Sequence, residues 1–468
     1  MDTKEILGYA AGSIGSAVLA VIILPLLSWY FPADDIGRIV LMQTAAGLTV
    51  SVLCLGLDQA YVREYYAAAD KDTLFKTLFL PPLLSAAAIA ALLLSRPSLP
   101  SEILFSLDDA AAGIGLVLFE LSFLPIRFLL LVLRMEGRAL AFSSAQLVSK
   151  LAILLLLPLT VGLLHFPANT AVLTAVYALA NLAAAAFLLF QNRCRLKAVR
   201  RAPFSSAVLH RGLRYGIPIA LSSIAYWGLA SADRLFLKKY AGLEQLGVYS
   251  MGISFGGAAL LFQSIFSTVW TPYIFRAIEA NAPPARLSAT AESASALCLT
   301  GIFSPLASLL LPENYAAVRF IVVSCMLPPL FCTLVEISGI GLNVVRKTRP
   351  IALATLGALA ANLLLLGLAV PSGGARGAAV ACAASFWLFF VFKTESSCRL
   401  WQPLKRLPLY THTLLCLTSS AAYTCFGTPA NYPLFAGVWA AYLAGCILRH
   451  RKDLHKLFHY LKKQGFPL

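Results

Sequence analysis

The sequence predicts an all-α, polytopic membrane protein of about 14 transmembrane helices, built as two six-helix lobes in parallel repeat plus two extra C-terminal helices. Three observations predict it. Of 468 residues, 59% are hydrophobic and only 12% charged, a composition far from that of soluble globular proteins. Apolar runs of about 20 residues, the length that crosses a bilayer core, recur along the whole chain. Lys and Arg gather in alternate connections, as the positive-inside rule requires.

The candidate spans, in order, are approximately 6–31, 36–57, 74–94, 110–133, 141–163, 169–190, 213–237, 245–270, 288–311, 316–343, 350–370, 376–394, 409–427 and 431–448. The first run is too long for a signal peptide and is followed by many more, so it reads as a retained helix. Residues 1–190 form an N-lobe of six spans, 191–212 a basic cytoplasmic linker, 213–394 a C-lobe of six spans, and 395–448 the last two helices. Residues 449–468 form a basic tail. Its Leu454, Leu457, Phe458 and Leu461 repeat at helical spacing among Lys452, Lys456, Lys462 and Lys463, the pattern of an amphipathic helix lying on an anionic leaflet.

With the N-terminus placed inside, only Arg38, Arg96, Lys238, Lys239, Arg319 and Arg376 of the 37 Lys and Arg fall in outer connections. Both termini are therefore expected in the cytoplasm. The net charge of +16 would suggest a nucleic-acid partner in a soluble protein; here membrane topology explains it, and no nucleic acid is expected. The ten cysteines show no metal-type spacing, and Cys54, Cys298, Cys325, Cys332, Cys382, Cys416 and Cys425 sit in apolar runs as small core residues. No Walker-type loop, His-Glu-x-x-His or G-x-S-x-G occurs. No connection is large enough for a soluble domain, which disfavours a membrane glycan polymerase. Neither an enzyme nor a cofactor is expected, and any transport draws on an ion gradient or on the cargo's own gradient.

Three charges interrupt the fourth and fifth spans: Glu120, Arg127 and Lys150. A charge at mid-bilayer costs roughly 2.5–3.5 kcal/mol on insertion scales, so such groups face protein or a water-filled cavity. Glu120 and Arg127 are seven apart, on one helix face and about 10 Å apart along the axis. Lys150 enters the next span at a comparable depth, so antiparallel packing is expected to bring the three together. Two other readings stay open: a buried Glu120 paired with one cation, and an Arg127 that snorkels toward the inner surface. Pro125 is expected to bend the helix beside them. Asp233 and Arg234, near the outer end of span seven, read as a gate or a local ion pair. Asp58, Arg63, Glu292 and Glu395, near inner ends, read as interfacial.

An internal repeat sets residue 7 against residue 213. Leu7-Gly8-Tyr9 matches Leu213-Arg214-Tyr215, Asp35-Ile36-Gly37 matches Gln245-Leu246-Gly247, and Arg134-Met135-Glu136-Gly137-Arg138 matches Arg346-Lys347-Thr348-Arg349. Six spans per lobe is an even number, so the lobes are related by an axis along the membrane normal, with a transport path between them. The offset places Asn362 opposite Lys150, and Glu336 near mid-depth of span ten.

Stretches with loose but ordered matches carry a resemblance. They are Gly8-Tyr9-Ala10, Ile36-Gly37, Gly56-Leu57-Asp58 before Tyr61-Val62-Arg63-Glu64-Tyr65-Tyr66, Leu213-Arg214-Tyr215-Gly216-Ile217-Pro218, Ala232-Asp233-Arg234-Leu235-Phe236-Leu237 and Gly247-Val248-Tyr249. With them the whole chain resembles the polysaccharide-transporter, or O-antigen flippase, branch of the multidrug/oligosaccharidyl-lipid/polysaccharide exporter superfamily. The resemblance implies an inner-membrane flippase that moves a lipid-linked oligosaccharide, carried on undecaprenyl pyrophosphate, to the outer face by alternating access. It implies membrane lipids and other polysaccharide-assembly proteins as partners, and O-antigen, capsule or another surface glycan as the pathway. Arg127, Lys150, Glu120 and Asn362 would line the cavity, with the two cations on the phosphates. Glu120 or Glu336 would couple Na+ or H+. Related flippases often carry Asn where Lys150 stands. A cation-coupled multidrug exporter of the same superfamily is the competing reading, for which more acidic and fewer cationic mid-span groups are expected.

Overall fold

The computed structural model describes residues 3–279, 300–345, 347, 349–401, 404, 406–445 and 448. Among the described residues all regular structure is helical. The predicted tail 449–468 and residues 288–299 of the predicted span 288–311 lie outside them. Among the described residues seven helices are long and apolar enough to cross a membrane: Ala33–Cys54, Lys71–Leu94, Ala110–Met135, Ala139–Leu163, Thr170–Gln191, Val318–Ser338 and Arg349–Leu400. The chain is a multi-pass membrane protein. It forms two compact units, Met1–Leu235 and Phe236–Leu468.

The first unit contains α1 (Thr3–Ser28), α2 (Ala33–Cys54), α3 (Leu57–Glu64), α4 (Lys71–Leu94), α5 (Leu99–Phe105), α6 (Ala110–Met135), α7 (Ala139–Leu157), α8 (Thr170–Gln191), α9 (Arg193–Arg201) and most of α10 (Ser206–Tyr240). Caps explain several starts. Asp70 accepts the backbone N–H groups of Asp72 at 2.9 Å and Thr73 at 3.1 Å to open α4, and Asp109 does the same for α6 through Ala111 at 2.8 Å. A π-helical turn, Pro158–Leu163, extends α7, since Pro158 has no N–H to continue the α pattern. Pro125 sits inside an uninterrupted α6.

The break between α2 and α3 positions the site. Leu55 (φ +47°) and Gly56 (φ +73°) both adopt left-handed backbone, which ends α2 and turns the chain. Gly56 then packs directly on α10: a Cβ on Gly56 would meet the Gly216 carbonyl, and one on Gly216 the Leu55 carbonyl at 2.5 Å. Gly216→Val should therefore force the backbones apart and lower stability by about 2–3 kcal/mol, read as a fall in melting temperature in detergent. Gly162→Val, with open space around it, should leave melting unchanged.

The second unit contains α11 (Gly242–Glu279), α12 (Leu306–Leu310), α13 (Val318–Ser338), α14 (Ile340–Val344), α15 (Arg349–Leu400), α16 (Arg406–Phe426) and a helix over 432–445. The two spans predicted at 350–370 and 376–394 are the arms of α15, folded at Gly374 (φ 49°, ψ −131°). Glycine is the residue that reaches this region without strain. The N–H of Ala375 donates to Gln245 of α11 at 3.2 Å, which fixes the bend. Of the cysteines read as core, Cys54, Cys325, Cys382 and Cys416 are buried and Cys425 is exposed; Cys298 lies outside the described residues.

Candidate functional site

In the first unit α2, α3, α6 and α10 surround a cavity of about 400 Å³. Ala46, Gly47, Val50 and Ser51 line it from α2, Asp58 and Gln59 from α3, Phe123, Ile126, Arg127 and Leu130 from α6, and Ile219, Ala220 and Ser223 from α10. The small residues on α2 leave room for it. Trp227 of α10 lies over Gly47 and donates its indole N–H to the Thr44 carbonyl at 3.2 Å.

Arg127 is the cationic group of this cavity. Its Nη2 and Nε donate to Asp58 Oδ2 at 2.7 and 3.1 Å, and Gln59 Nε2 donates to the same oxygen at 2.9 Å. The pair is lopsided: the Arg127 side chain is 48% exposed, the Asp58 side chain 9%. Asp58 thus holds one edge of the guanidinium fork and leaves the opposite edge, with both Nη1 N–H groups, open to the cavity. The Leu55–Gly56 turn redirects the chain so that α3 packs against α4 and α6, which carries the buried Asp58 to Arg127.

The expected cluster of Glu120, Arg127 and Lys150 does not form ion pairs. Sequence neighbours α6 and α7 are not each other's main packing partners: α6 packs chiefly on α8, and α7 on α1 and α8. Lys150 is partly buried on α7, does not line the cavity, and makes no ion pair among the described residues. Glu120 is more buried on α6 than Arg127. Both its carboxylate oxygens are buried with no partner in good hydrogen-bond geometry, and the Thr49 hydroxyl of α2 is the polar group beside them.

In the second unit, Asn362 is fully buried and accepts a hydrogen bond from Ser385 Oγ at 3.0 Å. It ties the two arms of α15 together. Glu336 accepts from Gln263 Nε2 at 3.4 Å on one oxygen, while the other is buried and unbonded; the Lys393 ammonium lies within electrostatic reach. Asp233 is buried and accepts the backbone N–H of Arg234 at 2.8 Å, whereas the Arg234 guanidinium donates to Ser231 at 3.1 Å. Sequence reasoning missed the Gly56–Gly216 contact and Asp58's role; the signal that could have found both is the Gly56-Leu57-Asp58 run itself, a helix-breaking residue directly before a buried acid.

Solved structures similar in fold include a lipid II flippase, MurJ, in an inward closed conformation, with a TM-score of 0.68 and 11% identity over 95% of this chain and 99% of that one. The chain shares its fold. The same fold recurs in multidrug-resistance MATE family transporters of the MOP superfamily. An inward-facing one has a TM-score of 0.57 at 14% identity over 84% of this chain and 98% of that one, and an outward-facing one 0.55 at 14% over 88% and 96%. No family model matches the sequence, and no curated protein matches it. The Arg127 cavity lies within the first unit, lined by α2, α3, α6 and α10.

Proposed function

We propose that the chain is a flippase that moves a lipid-linked oligosaccharide, on a pyrophosphate carrier, from the cytoplasmic to the outer face of the inner membrane by alternating access. The observation that carries this reading is the Arg127 guanidinium, braced on one edge by Asp58 and open on the other toward a cavity with mostly apolar walls. A phosphate needs such a donor fork in a surround that screens it little. The fold shared with a lipid II flippase supports the same class of cargo. Lys150, outside the cavity, is not assigned to the phosphate in this arrangement. Deleting the gene should abolish surface glycan and leave sensitivity to cationic drugs unchanged. Retained glycan with increased drug sensitivity would point to the other branch.

Cation-coupled drug export is a second reading, favoured by the buried carboxylate of Glu120 and by the MATE transporters that share the fold. In either reading Glu120 is the candidate for H+ or Na+ coupling in the first unit. Glu120→Gln should keep the protein folded, because the amide has the same shape, and should make transport several-fold slower and independent of an imposed proton or sodium gradient. Gradient dependence retained in Glu120→Gln proteoliposomes would remove the residue from coupling.

A further inference from the structure

The linker predicted between the lobes is ordered in its first part as α9, nine residues that carry Arg193, Arg195, Lys197, Arg200 and Arg201 and no acidic residue. At about 100° per residue, Arg193, Lys197, Arg200 and Arg201 fall within an arc of roughly 100°, with Arg195 and Val199 on the opposite side. The structure follows this division. Arg195 turns inward, bonds Glu136 and lies 3.5 Å from Asp72, and Val199 is buried. Lys76 of α4 clamps the end of the helix, donating to the carbonyls of Arg200 at 3.1 Å and Ala202 at 2.6 Å. The other four cations are exposed, and among the described residues none pairs with a carboxylate.

A second observation says where this face looks. Phe190, in the last turn of membrane helix α8, is 60% exposed, and the Arg193 guanidinium lies over its ring at 4.4 Å. Phe204, just beyond α9, is also exposed, at 47%. Aromatic rings bared at the end of a transmembrane helix sit at headgroup depth, so the cations beside them stand over the lipid and not over the aqueous connection. An unpaired basic helix face at that depth is complementary to phosphate-bearing headgroups.

We infer that α9 is a fixed docking surface for anionic glycerophospholipid headgroups, with Arg193, Lys197, Arg200 and Arg201 as the phosphate contacts and Phe190 and Phe204 as flanking anchors. It is distinct from the cargo cavity, shares no residue with it, and does not depend on which cargo is carried. Because Arg195 and Lys76 fasten α9 to the first unit, the surface is held in place before lipid arrives.

The test is native mass spectrometry of the full-length protein in micelles doped with equal amounts of phosphatidylglycerol and phosphatidylcholine. The wild type should retain phosphatidylglycerol preferentially, and R193Q/K197Q/R200Q/R201Q should lower that preference by at least about tenfold. If the quadruple variant does not fold, the pair R200Q/R201Q should give a smaller loss in the same direction. About 1 M salt, with a screening length near 3 Å, should weaken the wild-type preference. No preference in the wild type, or an unchanged preference in both variants, would overturn the inference. Equal competition by soluble glycerol phosphate would also overturn it, by marking a site for a free anion and not for a leaflet.

Discussion

Arg127→Ala lowers the rate at which the reconstituted protein moves a pyrophosphate-linked lipid by about 100-fold. Two effects add in the same direction. The phosphate loses its charge-assisted donors, and Asp58, 6% exposed overall, is left in the fold without its counter-charge. Truncating one member of a hydrogen-bonded charge pair typically costs about 2–5 kcal/mol, and about 2.7 kcal/mol corresponds to that rate change. Because Arg127 is half exposed the stability share is the smaller one, about 1–2 kcal/mol after screening. Arg127→Lys should recover only part of the rate, since an ammonium cannot hold Asp58 on one edge while presenting a second edge to the cavity. Scramblase assays with fluorescent pyrophosphate-linked lipid, alongside melting curves, separate transport loss from unfolding.

The second large effect is at Asp58, and its sign is informative. Removing a negative charge beside an anion site should tighten anion binding if charge alone mattered. If instead Asp58 acts by holding the guanidinium, Asp58→Ala should weaken binding of the pyrophosphate-linked lipid by about tenfold, the value of one charge-assisted hydrogen bond's worth of positioning. Asp58→Asn keeps an acceptor oxygen for Nε and Nη2 and should bind within about threefold of wild type. Tighter binding in both variants would show that Asp58 is a mere counter-charge. Stability should fall less in Asp58→Ala than in Arg127→Ala, because the freed guanidinium can reach water while the freed carboxylate cannot.

The all-helical, multi-pass architecture was legible from apolar run length and the sidedness of Lys and Arg, since both follow from bilayer thickness and translocation. The span starts expected at 74 and 110 fall within three residues of the capped starts of α4 and α6. Short helices such as α3 and α9 were not legible, because an apolar-run criterion passes over segments of eight or nine residues that carry charges. Arg127 stood out in the sequence because a charge inside an apolar run has no neutral explanation. Its partner did not: Asp58 lies one residue beyond the predicted end of span two, where a carboxylate usually meets water, and only the left-handed turn at Leu55 and Gly56 brings it inside. The proximity assumed for Lys150 rested on sequence adjacency, and α8 takes the place beside α6 that α7 was expected to fill. The partner of Asn362 was hidden for a related reason. In an α-hairpin folded at Gly374, a polar side chain on the inner face finds its partner on the other arm, at Ser385.

The most direct measurement is transport by the purified full-length protein in proteoliposomes, comparing an undecaprenyl-pyrophosphate oligosaccharide with a cationic dye. The flippase reading predicts movement of the lipid-linked oligosaccharide that falls about 100-fold in Arg127→Ala, with no dye export above empty liposomes. Dye export sustained by an ion gradient, with the lipid-linked oligosaccharide left in place and Arg127→Ala as active as wild type, would contradict it.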